Sequence, residues 1–416
     1  MKYSERDIYI LKSAVDSKWF LKLKYLNRPL LLKGVQPKLS SLLGQKELFL
    51  KEKIRNPVFI YNLNYENITE TIQKLYLLQE EVLQYESDLS IKNIYVKKIN
   101  ELILEQDILL ASHENNWTNF KKFNLSKFDS FDLYCIDLQR ERVKSNFANQ
   151  KNEINVTSAQ IKRAKNSLLN EVISAYNFSI KEDVFIEGLE ILRRWSVILR
   201  NLNFNWNIEL SKRYSSITVV NKLETVFIPC NVRMSELKCF AMFAHEVGVH
   251  VYKREQGKKN RLQLLSIGAP NSKKSEEGIA TVVEQLVKNQ YTTYFGHDKY
   301  LALCLASGVL DGKERDFRDT YEYIHKVYSS RHTKKYDDCK ACKMAKDRAW
   351  NTCVRIFRGA DPSMPGVCFL QDKLYLEGNV QVWNAIKDES VLLKRIYAGK
   401  YDPFNEEHVA LLNKYY

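Results

Sequence analysis

The run Ala244-His245-Glu246-Val247-Gly248-Val249-His250 lies inside a helix-like stretch from Ser235 to Arg254 and constrains this chain more than any other feature. In the familiar His-Glu-x-x-His pattern the histidines are four apart. At about 100° per residue they share a helix face and bind zinc, and the Glu acts as general base. Here the histidines are five apart. On an ideal α-helix that spacing rotates the second imidazole by about 140° from the first, too far for both to reach one ion. Either the run is accidental or the helix carries a π-type turn. The i to i+5 periodicity of such a turn restores the alignment, and such turns cluster at functional sites. Gly248 lacks a Cβ, so it lowers the cost of the distortion and admits close approach of another segment or a substrate.

A zinc ion that keeps a reactive water needs a third protein ligand, commonly a carboxylate on a following helix. After the loop Leu265-Ser266-Ile267-Gly268-Ala269-Pro270-Asn271, Ser275 reads as an N-cap and Glu276-Glu277-Gly278-Ile279-Ala280 opens a new apolar-periodic segment. Glu276 and Glu277 are adjacent, so one of them points at the metal, and Glu277 is the choice. Alone, the histidine run is a short pattern that chance supplies, and both histidines read equally well as ordinary helix residues. A metal kept only for structure would have no need of Glu246.

The Glu-Glu-Gly-Ile-Ala segment resembles the QEGLA motif of a group of bacterial proteins. Together with His-Glu-x-x-x-His it is similar to the microtubule-associated tyrosine carboxypeptidases. The resemblance implies a gluzincin-like Zn2+ site with His245, His250 and Glu277 as ligands and Glu246 as base. The Glu before Gly is favoured because other zinc aminopeptidases place their ligand in an Asn-Glu-Gly segment. Arg355-Ile356-Phe357-Arg358-Gly359 and Leu370-Gln371-Asp372-Lys373-Leu374-Tyr375-Leu376-Glu377-Gly378 resemble two further family segments, Arg-Val-x-Arg-Gly and Thr-Lys-Asp-x-x-Tyr-Leu-x-Gly. In the latter, Leu370 and Gln371 replace the Thr and Lys. The resemblance runs from about Asn56 to the C-terminus and is strongest from Asn221 to Gly378. It implies release of a C-terminal aromatic residue, as in tubulin detyrosination. A bacterial homologue would meet no tubulin and would act on another peptide tail or a small ligated peptide.

A carboxypeptidase must hold the terminal carboxylate, and the planar fork of Arg matches its two oxygens. Arg358, beside Gly359, is the first candidate, with Arg355 one turn earlier and Lys373 as alternatives. Each also reads as a surface charge or an internal ion pair. Tyr375 is a candidate donor to the oxyanion formed on attack at the carbonyl, with core packing as the competing explanation. An endopeptidase, another amide hydrolase on the same site, and a non-catalytic zinc-stabilised interaction protein are the alternatives in function.

The chain has 416 residues, more than a single core usually organises. The expected division is a mostly helical N-terminal appendage over 1–155 and a zinc metallopeptidase domain over 156–416. The expected fold is α+β, mostly helical and gluzincin-like, with a small antiparallel sheet ahead of the zinc-binding helix. Amphipathic helices are expected around Ile68 to Glu86 and Ile91 to His113, and a helix pair between Ser158 and Asn201. Ser216-Ile217-Thr218-Val219-Val220 and Glu224-Thr225-Val226-Phe227-Ile228 read as a hairpin about Asn221-Lys222-Leu223, whose edge could hold substrate in extended form. Helix is expected from Glu277 through Leu301, near Arg315 to Tyr328, and from Asp337 to Phe357, followed by a Pro- and Gly-broken loop from Gly359 to Gly366. Residues 1–53 give no secure assignment.

The net charge is +14. The basic residues are dispersed and no aromatic-interleaved recognition module accompanies them, which argues against nucleic acid. A basic surface would steer acidic peptide tails; a solvated basic face without a partner is the plainer reading. No apolar run approaches the roughly eighteen residues of a membrane span, and nothing resembles a signal peptide. Eight cysteines, several within apolar helical patterns, fit a cytoplasmic protein with reduced thiols. Cys339-Lys340-Ala341-Cys342 reads as surface or core helix rather than a second metal site, because one pair cannot close a tetrahedron.

Overall fold

The strongest helical periodicities become helices close to their expected bounds in the structure, a computed structural model. It describes residues 13–26, 31, 34–145, 153–214, 216–332, 338–388 and 395–415. Tyr65–Tyr85 buries Ile68, Leu75, Leu78 and Val82, a stripe at helical spacing, and Asn64 caps it by accepting from the backbone N–H of Asn67. Leu89–His113 starts at Asp88, whose carboxylate accepts from Ser90 and Ile91. In the unassigned N-terminal stretch, Ser17–Leu26 and Leu39–Leu50 are helical.

The chain packs into two compact units. The first draws on described residues within 1–28, 151–295 and 378–416, the second on those within 29–150 and 296–377. The stretches that make up each unit are interleaved along the sequence. The core of the second unit is an aromatic cluster in which Phe49 and Phe317 meet edge to face at 5.1 Å and both pack on Trp350. The core of the first gathers Trp195 and Ile198 from helix Gly188–Asn201, Val226 and Ile228 from the sheet, and Phe243, Val247 and Val251 from the histidine-bearing helix.

Within the first unit, β1 (Phe185–Glu187) pairs antiparallel with β5 (Arg233–Ser235). A second sheet contains β2 (Asn207–Ser211), β3 (Thr218–Val220) and β4 (Thr225–Pro229) in the order β2-β4-β3. The expected hairpin is β3 and β4 about the 3-10 turn Asn221–Leu223, with Val219 opposite Val226. The sheet is nonetheless mixed rather than antiparallel throughout, because β2 joins β4 in parallel. The apolar strand β4, with Val226 and Ile228 fully buried, takes the centre. The partly exposed β2 and β3 are left as edges.

Three helix expectations are corrected. The stretch from Ser158 to Asn201 is not a simple helix pair but Ser158–Leu168, the short Glu171–Ser174, β1 and Gly188–Asn201. The helix carrying Glu277 begins at Lys273 with Ser272 at the cap position, so Ser275 lies inside it, buried, its hydroxyl donating to the Ser272 carbonyl. Helix is not continuous to Leu301. Asn289 turns left-handed at φ 55° and closes Lys273–Lys288, Gly296 follows at φ 95°, and a new helix runs His297–Ala306. The later helices are Phe317–His332, Asp338–Ile356, Lys373–Lys387 and Glu406–Tyr415. No helix among the described residues is long and apolar enough to cross a membrane.

Candidate metal centre

The histidine-bearing helix is a composite. Glu236–His245 is α-helical, Glu246–Val251 is a π-turn, and Tyr252–Lys259 resumes the α-helix. Ser235 caps the start by accepting from the Lys238 N–H. Cys239, Phe243, Val247 and Val251 recur every four residues and all enter the core, so the apolar face stays continuous through the bulge. The five-residue histidine spacing is thereby absorbed, and the His245 and His250 rings sit 5.1 Å apart.

Two features hold the bulge. A Cβ on Gly248 would lie 2.4 Å from Ile173 Cγ1, so only glycine fits against that side chain. The Gly248 carbonyl accepts from Asn170 Nδ2 at 2.8 Å. A π-turn frees carbonyls from the regular ladder, and a buried free carbonyl needs such a donor. The same Asn170 caps Glu171–Ser174, the turn that carries Ile173.

Glu277 reaches the histidines from Lys273–Lys288. Gly278 beside it has a structural reason: a Cβ there would stand 2.3 Å from the Gly378 carbonyl oxygen. Glu277 Oε2 is 3.8 Å from His245 Nε2 and 3.8 Å from His250 Nε2. All three ligand atoms lie within 4.8 Å of one another. Tetrahedral zinc with bonds of about 2.0–2.2 Å sets its ligands roughly 3.3 Å apart, so small side-chain movements close the set. Glu277 Oε2 is buried and has no hydrogen-bond partner among the described residues. Such an orphaned carboxylate oxygen facing two ring nitrogens is costly, and a cation satisfies all three atoms together. The residues therefore fit a zinc ion.

Carboxylates also back both imidazoles. His250 Nδ1 is 2.7 Å from Glu276 Oε1, which accepts in turn from Lys400 Nζ at 2.7 Å. His245 Nδ1 stands 3.5 Å from Glu284 Oε2, outside good hydrogen-bond geometry, and Lys288 donates to the other oxygen of Glu284. Both rings consequently present Nε2 to Glu277. Burial opposes the charged form of His245, but Glu284, Glu246 and Glu277 outweigh it and raise the group to about 9. Burial raises Glu246 above the usual carboxylate range, with His245 and His250 opposing. Burial works against ionisation of Glu276 and Glu284 too. Lys400 and His250 nevertheless hold Glu276 well below its usual value, and His245 and Lys288 bring Glu284 to about 2. Sequence reasoning left Glu276 without a role and missed Glu284 and Lys400. Glu284 carried a signal, because two helical turns after Glu277 return it to the same face. Lys400 carried none.

The remaining candidates lie in the second unit. Arg355 Nε donates to Asp372 Oδ1 at 2.6 Å and Arg358 to Oδ2 at 3.1 Å. Arg355 also donates to the Tyr375 hydroxyl at 3.3 Å. Asp372 is fully buried; burial raises it, but Arg358, Arg355 and Lys299 hold it below the usual range. The Arg358 side chain is only 8% exposed, and burial lowers its guanidinium, whereas Arg355 is 36% exposed. Lys373 stands apart from this cluster, donating to Glu377 and to the Ser130 carbonyl, each at 2.8 Å. Cys342 of the Cys-x-x-Cys pair is exposed on Asp338–Ile356; the side chain of Cys339 lies outside the described residues.

Among known proteins, the family model described as "Microtubule-associated tyrosine carboxypeptidase" matches residues 46–415. No curated protein and no solved structure matches the chain.

Proposed function

Because the chain belongs to the microtubule-associated tyrosine carboxypeptidase family, and is so placed among carboxypeptidase enzymes, we propose that it is a zinc-dependent carboxypeptidase. Its substrate would be a peptide or protein tail, from which it releases a C-terminal tyrosine or other aromatic residue. The observation that carries the metal assignment is the orphaned Glu277 Oε2 facing the Nε2 atoms of His245 and His250. These three residues would hold the ion, which when bound supplies Lewis-acid polarisation of the scissile carbonyl and lowers the pKa of water.

Glu246 is the base. It follows His245 directly, is half-buried beside both histidines, and has a proton affinity raised by desolvation, which suits a group that takes a proton from the attacking water. It then delivers that proton to the leaving amine nitrogen. Among the cations, Arg355 is the better candidate for the terminal carboxylate. Asp372 orients its guanidinium, yet the side chain keeps partial exposure, whereas Arg358 and Lys373 are committed to buried partners. Tyr375 is assigned the oxyanion donor, its hydroxyl oxygen held by a hydrogen bond from Arg355. The partly exposed edges β2 and β3 offer backbone groups to an extended substrate. The charge of +14 favours acidic tails and, being dispersed, does not favour nucleic acid. The described cysteines are all free, in keeping with a cytoplasmic location.

The test is mass spectrometry of a peptide panel, with tails ending in Tyr, Phe or Ala and each with a free or amidated C-terminus, after incubation with zinc-loaded protein. Free aromatic termini are expected to be trimmed by one residue and amidated ones left intact. Equal cleavage of amidated peptides moves the assignment to an endopeptidase. No cleavage by a protein that binds zinc moves it to an interaction protein stabilised by the metal.

A further inference from the structure

The two histidines are backed by similar chemistry at unequal strength. Each Nδ1 faces a glutamate, and each glutamate faces a lysine. On His245 the glutamate stands off at 3.5 Å, and the lysine, Lys288, leaves 21% of its side chain exposed. On His250 both links are 2.7 Å, and Lys400 leaves only 8% exposed. Lys400 is also fixed through its own backbone: its N–H donates to the Leu265 carbonyl and its carbonyl accepts from the Ala269 N–H. A second buried lysine, Lys253, adds positive charge near Glu276. The remote end of the chain thus supplies an ammonium group behind His250.

We propose that Glu276 and Lys400 form a positioning pair for the metal site: Glu276 Oε1 accepts the Nδ1 proton of His250, Lys400 compensates the carboxylate's charge, and the ring stays oriented with a bare Nε2 toward Glu277. A metal-ligating imidazole is held in one tautomer and one rotation by the group on its other nitrogen, and loss of such a group typically weakens metal binding about 10–100-fold. Here the lysine matters as much as the carboxylate, because a buried unpaired glutamate would pull a second proton onto the ring or rotate away. The π-turn sharpens the need. His250 sits within it, where the regular ladder constrains the ring less, and a fixed partner restores the constraint.

This inference rests on the proposed zinc ligands and is tested on the full chain by zinc affinity in chelator competition, with thermal melting of the metal-free protein as the control for folding. Glu276→Ala and Lys400→Met should each lower metal-free melting, as breaking a buried pair does, and weaken zinc binding by about 10–100-fold beyond that loss. In Glu276→Gln/Lys400→Met both charges are gone and an amide oxygen can still accept from His250, so affinity should return to within about threefold of the parent. Lys288→Met, behind the looser partner, should cost less than Lys400→Met. Unchanged affinity in Lys400→Met, or a double variant no tighter than that single one, overturns the pair. If Lys400→Met does not fold, Glu276→Gln decides: a roughly tenfold loss supports the pair and parental affinity overturns it. A parent protein that binds no zinc, or binds it regardless of His245→Ala, refutes the ligand assignment itself. Zinc binding that needs His245 but ignores Lys400 refutes only this inference.

Discussion

The chain contains two clusters of buried charge with opposite logic. In the first unit, His245, His250 and Glu277 converge with an oxygen left unpaired, amid carboxylates that favour a positive guest. In the second, Arg355 and Arg358 both donate to Asp372, with Lys299 at 3.8 Å, so the one carboxylate already has its cationic partners. The first is poised for a cation; the second gathers more cations than carboxylates, leaves Arg358 Nε without a hydrogen-bond partner, and suits a further anion. Buried charge alone therefore does not say what a cluster binds. An unmet valence does, and the difference can be measured.

The largest expected contrast is in chemistry. Glu246→Gln should retain zinc and lose hydrolysis by about 10²–10⁴-fold, the usual worth of a positioned proton acceptor. A steady-state assay on a trimmed tail peptide, with metal content read in parallel, checks it; loss of zinc together with activity would mean Glu246 acts through the site's structure instead.

Next is stability. Asp372→Ala strands the buried Arg358 guanidinium and should cost about 3–5 kcal/mol in denaturant unfolding. Glu277→Gln, which removes a carboxylate whose Oε2 has no hydrogen-bond donor, should leave metal-free stability nearly unchanged while abolishing zinc binding. Comparable destabilisation by both would erase the distinction between a paired carboxylate and an unpaired one.

How far each cluster was legible follows from the same logic. His245, Glu246, His250 and the bulge between them could be read from spacing, because helix periodicity is a local rule and a five-residue step violates it unless the backbone changes. Glu277 could be read as a second local motif on its own helix. Lys400 could not, since nothing near it in sequence encodes a partner so distant along the chain. Arg355 and Arg358 were recognised as charges, but their shared partner Asp372 was not, although it lay within a segment already singled out; pairing across a loop is a tertiary fact. The fold shows the same division. Tyr65–Tyr85, Leu89–His113 and the β3–β4 hairpin follow local pattern. The parallel placement of β2, the break at Asn289 and the interleaved units depend on which segments compete for the core.

The clusters should also respond to pH with opposite sign. In the metal-free protein His245 is raised to about 9 from an ordinary value near 6.5. A raised folded-state value gives stability that is fully present below about pH 6.5 and lost as pH rises to about 9, on the order of 3 kcal/mol if no other group compensates. Asp372 is held below its ordinary value. Its contribution is present above about pH 4 and lost as pH falls through the lowered value. Melting temperatures of metal-free protein should therefore fall between pH 6.5 and 9. Saturating zinc should flatten that slope, because the ion replaces the proton on His245. A slope that persists with zinc bound would assign it to another group.

The smallest effects probe the backbone that makes the first cluster possible. Gly248→Ala places a methyl group 2.4 Å from Ile173 Cγ1 and should destabilise by about 1–3 kcal/mol, as overpacking does. Because the π-turn sets the angle between His245 and His250, the same variant should weaken zinc binding more than its stability loss alone explains. Asn170→Ala removes the donor to the Gly248 carbonyl and the cap of Glu171–Ser174 together. Its cost should be about 1–2 kcal/mol. Pairing Gly248→Ala with Ile173→Ala separates the two roles of the glycine. If the smaller neighbour restores both stability and zinc affinity, Gly248 is required only for space. If stability returns and affinity does not, the glycine is also required for the backbone turn itself, and the extra residue between the histidines is usable only with glycine at its centre.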